Sequence, residues 1–135
     1  MTKRSRRRAA TARNTVSPKE SYIENENALP LNRAMMDWFF DKTVTDLSQL
    51  DDPRITLLDA DLSGLPPVTI VNASIDPLES DGALLAEALQ RAGTSVERRL
   101  FDGVTHEFFG MAAVVEDAVN AQDYAVERIE ADLGK

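Results

Sequence analysis

LPPVTIVNASIDPLESDGALLAEALQRAGTSVERRLFDGVTHEFFGM, residues 65–111, is the stretch that decides the fold. Residues 68–73 form an apolar, β-favouring run that only Asn72 interrupts, which is typical of a strand buried on both faces in a parallel sheet. Residues 77–92 then predict a helix, and Gly93 is suited to end it. The apolar face of this helix consists of Leu85, Ala88, Leu89 and Ala92.

A second strand is predicted at residues 95–101, because its side chains alternate between two faces that both mix polar and apolar groups, as at a sheet edge. The faces are Val96, Arg98 and Leu100 on one side and Glu97, Arg99 and Phe101 on the other. A loop is predicted at residues 102–111 and a last helix at residues 113–133. Its apolar stripe, broken by one glutamine, is Val115, Val119, Gln122, Val126, Ile129 and Leu133.

The order of these elements predicts the α/β class. Strand–helix–strand–helix with short links is the pattern of a right-handed βαβ unit in a parallel sheet, followed by a closing helix. Active sites in such sheets form at the carboxyl ends of the strands. Asp76 follows the first strand and His106 follows the second, so we expect both side chains to lie at the same edge of the sheet.

The pair of Asp76 and His106 allows two interpretations. A histidine that acts as a general base needs an acid to fix its tautomer and to stabilise the imidazolium, and this pair could serve a serine nucleophile in that way. Alternatively, Asp76 is an N-cap before Pro77, a favoured first helical residue, and His106 is an ordinary half-buried loop histidine. The residues alone leave both interpretations open.

Upstream of this region, residues 31–44 predict a helix with Asn32 as its N-cap. Residues 46–66 are rich in Asp, Gly and Pro and are predicted to be mainly loop. The helix carries a cluster of large apolar side chains that either line a substrate pocket or belong to the core. The cluster consists of Met35, Met36, Trp38, Phe39 and Phe40.

Residues 65–111 closely resemble the C-terminal part of the hormone-sensitive-lipase-like esterases, in the LPP, the buried strand, the DPL at 76–78, the amphipathic helix and the HEFFGM at 106–111. Residues 21–40, SYIENENALPLNRAMMDWFF, also look like the segment that precedes this region in those enzymes. The resemblance implies a partial α/β-hydrolase fold over residues 21–135. It also implies that Asp76 is the acid and His106 the base of a Ser-His-Asp triad that hydrolyses small-molecule carboxylic esters.

The sequence departs from the family pattern after His106 and at the nucleophile. Glu107 stands where the family usually has glycine. The nucleophile elbow GxSxG and the HGG oxyanion-hole motif occur nowhere in the 135 residues, and Ser63, Ser74 and Ser80 lack the flanking glycines. Without a nucleophile and oxyanion donors the pair has nothing to activate, so we expect a truncated hydrolase that is inactive alone.

Two alternatives stand beside this expectation. The chain is one half of a split hydrolase that an upstream-encoded partner complements, or it is a non-catalytic interaction module. In either case the strand at residues 68–73 is predicted to be central, while its upstream neighbour is not in the sequence. Because an unpaired apolar strand edge promotes association and two strands are marginal, we expect poor solubility or oligomerisation of the chain alone.

Composition excludes several classes of site. The chain has 135 residues, which is one domain at most, with no cysteine and with His106 as its only histidine. Disulfides, zinc–thiolate sites and a cysteine nucleophile are therefore excluded, and we expect neither a metal nor a cofactor. The apolar runs are too short to span a membrane and the N-terminus lacks a secretory signal, so a cytoplasmic location is expected.

Charge divides the sequence near residue 20. Residues 1–20 hold seven basic residues and one acidic residue, a formal charge of +6, whereas residues 21–135 hold eight basic and 22 acidic residues, a formal charge of −14. An acidic body argues against binding of nucleic acid, which needs positive potential along the phosphates. The basic segment is a nucleic-acid or targeting arm, a solvated disordered tail, or non-native sequence from a shifted reading frame.

Overall fold

A computed structural model describes residues 19–134, so the basic segment predicted at residues 1–20 lies outside the described residues apart from its last two positions. The helices of the described part are α1 (Glu20–Glu24), α2 (Arg33–Thr43), α3 (Glu79–Arg91) and α4 (Glu116–Leu133). The strands are β1 (Val68–Ile75) and β2 (Val96–Thr105). Short 3₁₀ helices occur at Leu47–Asp51, Leu57–Asp59 and Phe108–Gly110.

β1 and β2 pair in parallel, with α3 as the crossover between them. The register runs from Val68 opposite Val96 to Ala73 opposite Phe101. This arrangement confirms the predicted strand–helix–strand–helix order of a partial α/β fold. Among residues 19–134, β1 pairs only with β2, so its other edge presents main-chain N–H and C=O groups that no strand covers.

The expected burial of β1 on both faces is wrong for its first half. Residues 68–71 are half-buried, and only Asn72 and Ala73 in the second half are buried. The physical reason is the narrow sheet, because within the described residues β1 has one neighbouring strand rather than two. Its first half is therefore covered by a neighbouring strand along one edge only.

The core lies between the sheet and α4. Ala73 and Phe101 from the two strands meet Ala118 and Ala121 of α4, which are fully buried. Phe108 closes this cluster, with its ring centroid 5.4 Å from that of Phe101. Burial of such side chains contributes about 25 cal/mol per Å² of apolar surface, so this contact stabilises the packing of the closing helix on the sheet.

Asn72, which interrupts the apolar run, faces α3 on the opposite side of the sheet. Its Oδ1 accepts a hydrogen bond from Nε of Arg98 at 2.7 Å, and Arg98 also pairs with Glu79 in the first turn of α3. A Cβ atom on Gly82 would overlap with the side-chain amide of Asn72. Gly82 thus lets α3 lie close to β1 over a buried polar side chain.

The second strand is longer than predicted, because the pairing continues beyond a register shift. Ala73 pairs with Phe101, but Ile75 pairs with Thr105, so residues 102–105 belong to β2 and not to the predicted loop. The main-chain N–H of Gly103 donates to Ser74 Oγ at 2.9 Å within the irregularity. Such bulges re-aim the residues that follow a strand.

The last helix begins later than predicted, at Glu116 instead of residue 113. The N–H groups of Val114 and Val115 both donate to the carbonyl oxygen of Met111, so residues 111–115 form a turn. The predicted apolar stripe also lies on the wrong side. Ala118 and Ala121 face the core, whereas four of the stripe residues are exposed: Val119, Val126, Ile129 and Leu133.

Helix α2 has the predicted N-cap, because Asn32 Oδ1 accepts the N–H of Met35 at 3.0 Å. The interpretation of its large apolar side chains as core is wrong. No side chain of α2 is buried, and Trp38 is 56% exposed. The helix forms the wall of a groove instead of packing on the sheet.

Candidate active site

Asp76 and His106 lie together at the carboxyl ends of the two strands. Asp76 directly follows β1, and His106 directly follows β2. Nδ1 of His106 is 2.8 Å from Oδ2 of Asp76. The carboxyl side chain is almost fully buried, at 8% exposure, whereas the imidazole is 30% exposed. Because an ionised carboxylate only accepts hydrogen bonds, this contact places the proton of a neutral imidazole on Nδ1 and leaves Nε2 as an acceptor.

The second oxygen of Asp76 holds the local turn. Oδ1 accepts the main-chain N–H of Leu78 at 2.8 Å, across Pro77. Leu78, not Asp76, occupies the N-cap position of α3, and the helix begins at Glu79. Asp76 therefore takes part both in a local turn and in a contact with a histidine 30 residues away.

The loop after His106 contains an unusual backbone conformation. Glu107 has a φ of 66°, in the left-handed region that favours glycine, and it is the one non-glycine residue with positive φ in the described chain. Glycine, which the resemblance implies at this position, would adopt this conformation without the steric cost of a Cβ atom. Phe108 follows and is buried against Phe101, so it anchors the loop, whereas Phe109 is 39% exposed.

Two polar residues of α1 and its C-cap hold the turn around Asp76. Ser21 is 2% exposed, and its Oγ donates to the carbonyl oxygen of Pro77 at 2.6 Å. Asn25 donates from Nδ2 to the carbonyl oxygen of Asp76 at 3.2 Å. Sequence reasoning missed both residues. Their spacing of four, which puts them on one face of a short helix, is the only local signal.

A groove of about 900 Å³ lies beside this turn. Leu78 and Gly82 at the start of α3 line it together with Tyr22 of α1 and with Trp38 and Phe40 of α2. Two of the five clustered α2 side chains therefore border the groove. Burial and the negative charges of Asp76 and Asp37 raise the pKa of Tyr22 above its ordinary value. Tyr22 thus lies within the field of the Asp76 carboxylate.

The arrangement can take up and release a proton at Nε2 of His106, while the buried carboxylate stabilises the imidazolium. The serine hydroxyls around the turn are occupied. Ser74 Oγ accepts the N–H of Gly103. Ser21 Oγ donates to the carbonyl oxygen of Pro77 and accepts the N–H of Ser80, and Ser80 Oγ accepts the N–H of Ser21. Among residues 19–134, no group of three or more His, Cys, Asp or Glu side chains is placed to hold a metal ion.

None of the helices within residues 19–134 combines the length and the apolar character that crossing a membrane requires.

Comparison with known proteins gives a family match over residues 9–110, to a model described as alpha/beta hydrolase fold. The carboxylesterase NlhH of Mycobacterium tuberculosis is 41% identical over 105 residues, which cover 75% of this chain and 33% of that protein. Human hormone-sensitive lipase is 37% identical over 71 residues, which cover 53% of this chain and 7% of that protein.

A solved structure of a hyperthermophilic esterase from Pyrobaculum calidifontis superimposes with a TM-score of 0.81 at 27% identity, covering 85% of this chain and 38% of that one. The chain thus spans about a third of the length of the carboxylesterases that it matches. The family model covers well over half of the chain, and the resemblance to hormone-sensitive lipase and carboxylesterases is confirmed. The chain belongs to the α/β-hydrolase fold family.

Proposed function

We propose that Asp76 and His106 are the acid and the base of a Ser-His-Asp triad that hydrolyses carboxylic esters. The observation that carries the proposal is the 2.8 Å contact between Asp76 Oδ2 and His106 Nδ1 at the carboxyl ends of adjacent parallel strands. The serine nucleophile and the oxyanion donors come from polypeptide other than these 135 residues, since the sequence holds no GxSxG.

In the first half of the proposed reaction, Nε2 of His106 takes the proton from the serine Oγ as Oγ bonds to the ester carbonyl carbon. Asp76 keeps its hydrogen bond to Nδ1–H and offsets the positive charge of the imidazolium. The Nε2–H then donates its proton to the oxygen of the leaving alcohol as the C–O bond breaks. An acyl-serine and a free alcohol result.

In the second half, Nε2 takes a proton from a water molecule whose oxygen attacks the acyl carbon. The bond to the serine Oγ breaks, Oγ regains the proton from Nε2, and the carboxylic acid leaves. The partial exposure of the imidazole, at 30%, is consistent with access of water and of a serine to this ring. The groove reaches Leu78, two residues after Asp76, and Trp38 and Phe40 of α2 add apolar surface to its lining.

The uncovered surfaces of the chain support the proposal that further hydrolase segments pack against it. The free edge of β1 among the described residues and the exposed apolar face of α4 are both features that further strands and helices would cover. These surfaces also favour the second candidate, a split hydrolase whose two parts associate. In both cases the chain by itself is expected not to turn over esters.

A chimera tests the proposed function. Residues 19–135 replace the segment of Mycobacterium tuberculosis NlhH to which they align, and hydrolysis of p-nitrophenyl butyrate is followed by absorbance. We expect the chimera to hydrolyse the ester and its His106→Ala variant to lose the activity. Mixing the two parts as separate chains adds the test of the split arrangement, since recovered activity would support association.

Two results would contradict the proposal. One is a folded chimera whose rate does not exceed that of its His106→Ala variant, because the histidine would then have no role as a base. The other is His106-dependent hydrolysis by the 135-residue chain alone, because that would require a nucleophile within it. The chain alone and buffer serve as blanks.

A further inference from the structure

We propose that Ser21 and Asn25 are positioning residues for the acid, and that they hold the main chain around Asp76 so that its carboxylate stays on His106. This inference rests on the proposed function of the pair. Both residues act through the backbone of residues 74–80, and they belong to α1 and its C-cap, which lie 56 and 51 positions upstream of their partners Pro77 and Asp76.

Ser21 ties α1 to the segment that follows Asp76. Its Oγ donates to the carbonyl oxygen of Pro77 at 2.6 Å and accepts the N–H of Ser80 at 3.1 Å. The N–H of Ser21 in turn donates to Ser80 Oγ at 3.2 Å. Because Ser21 is only 2% exposed, water does not readily replace these bonds when they are lost.

Asn25 ties the same helix to the segment that ends β1. Its Nδ2 donates to the carbonyl oxygen of Asp76 at 3.2 Å and to that of Ser74 at 3.4 Å. Asn25 and Ser21 therefore hold the backbone on both sides of the Asp76 side chain. The ion pair between Lys19 and Asp81 extends the contact of this region with α3.

The position of this backbone decides where the carboxylate points. The side chain of Asp76 is short, and its Oδ1 is already bound to the N–H of Leu78. A shift of the main chain by a few tenths of an ångström is thus transferred to Oδ2 and to its bond with His106. Hydrogen bonds weaken steeply when their alignment is lost, so the proton on Nδ1 depends on the hydrogen bonds of Ser21 and Asn25 to this backbone, which together form a clamp.

The test is the tautomer of His106 in the 15N-labelled chain. His106 is the only histidine, so its ring signals need no further assignment. At the alkaline end of a pH series, where the ring signals no longer change with pH, we expect a downfield Nδ1–H proton and the Nδ1–H tautomer in the parent chain. Asn25→Asp replaces the donor with a carboxylate facing two carbonyl oxygens, and this Nδ1–H signal should be lost.

Matched controls separate positioning from general damage. Asn27→Asp changes an exposed asparagine two residues away, and it should leave the ring signals of the parent. Ser21→Ala should weaken the Nδ1–H signal, and Ser21→Thr, which keeps the hydroxyl, should retain it. If Asn25→Asp does not fold, the comparison of Ser21→Ala with Ser21→Thr decides the outcome.

The proposal is overturned if folded Asn25→Asp and Ser21→Ala variants keep the ring signals of the parent chain. It is also overturned if Asn27→Asp alters them as much, or if the parent chain itself shows no Nδ1–H tautomer. The readout does not depend on ester hydrolysis. An inactive chimera with an intact Nδ1–H signal would therefore count against the proposed function and not against the clamp.

Discussion

Asp76 contacts His106 through one carboxylate oxygen only, because its other oxygen accepts the main-chain N–H of Leu78. This division fixes the plane of the carboxylate. An amide in the same place would be oriented by the same contacts, with its oxygen toward the N–H of Leu78 and its NH₂ group toward Nδ1 of His106. The imidazole proton would then move to Nε2, the atom that has to receive the serine proton.

Glu107→Gly should stabilise the chain. The left-handed conformation costs a non-glycine residue about 1–2 kcal/mol, while glycine loses more backbone entropy on folding, by roughly 0.5–1 kcal/mol. We expect a net gain of roughly 0.5 kcal/mol in the free energy of unfolding, measured by urea denaturation.

The matched control for this change is Glu107→Ala, which removes the same charge but keeps a Cβ atom. It should not stabilise, since the left-handed strain remains. Equal stabilisation by alanine and glycine would mean that the charge beside His106, and not the backbone conformation, is the source of the effect.

Gly82→Ala should destabilise the chain, although alanine normally favours a helix. The added Cβ overlaps with the side-chain amide of Asn72, and overpacking of this kind costs about 1–3 kcal/mol. Thermal unfolding of Gly82→Ala, of Asn72→Ala and of the double variant measures the coupling. The penalty of Gly82→Ala should be absent in the Asn72→Ala background, and a penalty of equal size there would refute the proposed overlap.

Tyr22 should ionise at a higher pH than an ordinary tyrosine. The chain has two tyrosines, so absorbance of the phenolate in a Tyr124→Phe variant reports Tyr22 alone. Burial and the charges of Asp76 and Asp37 raise its pKa, so the midpoint should lie above 10.0. Adding Asp76→Asn should lower the midpoint, whereas Asp123→Asn on the exposed side of α4 should not change it.

The raised pKa of Tyr22 also makes the free energy of unfolding depend on pH. Because the pKa of Tyr22 is higher in the folded than in the unfolded state, the folded state holds more protons above the unfolded value. The contribution of Tyr22 is fully present below pH 10 and is lost as the pH rises through the folded-state pKa. A Tyr22→Phe variant should lose less stability in this window, and an unchanged decline would contradict the shift.

The exposed apolar face of α4 should cause self-association of the isolated chain. Val126 is 52% and Ile129 is 57% exposed on adjacent turns. We expect Val126→Lys with Ile129→Lys to lower the apparent mass in sedimentation velocity. The control is Ile23→Lys with Leu29→Lys, which also replaces exposed apolar residues but lies outside this face. Equal effects of both pairs would indicate a general rise in solubility.

The meeting of Asp76 and His106 could be predicted because it depends on topology, in which consecutive parallel strands end at the same edge of a sheet. The contacts of Ser21 and Asn25 could not, since they join residues more than 50 positions apart and the spacing of four between the two residues does not indicate their partners. The exposed stripe of α4 shows a second limit. Periodicity indicates that a helix has an apolar face, but small residues such as Ala118 and Ala121 decide which side packs closely.

The most direct test of the central claim is the value of kcat/KM for p-nitrophenyl butyrate in the NlhH chimera carrying Asp76→Asn. Asp102→Asn, which changes an exposed carboxylate on β2, serves as the matched control. We predict a fall of roughly 10⁴-fold for Asp76→Asn, because the amide imposes the wrong tautomer on His106, and little change for Asp102→Asn. An Asp76→Asn chimera that stays within about tenfold of the parent would contradict the assignment of Asp76 as the acid of the triad.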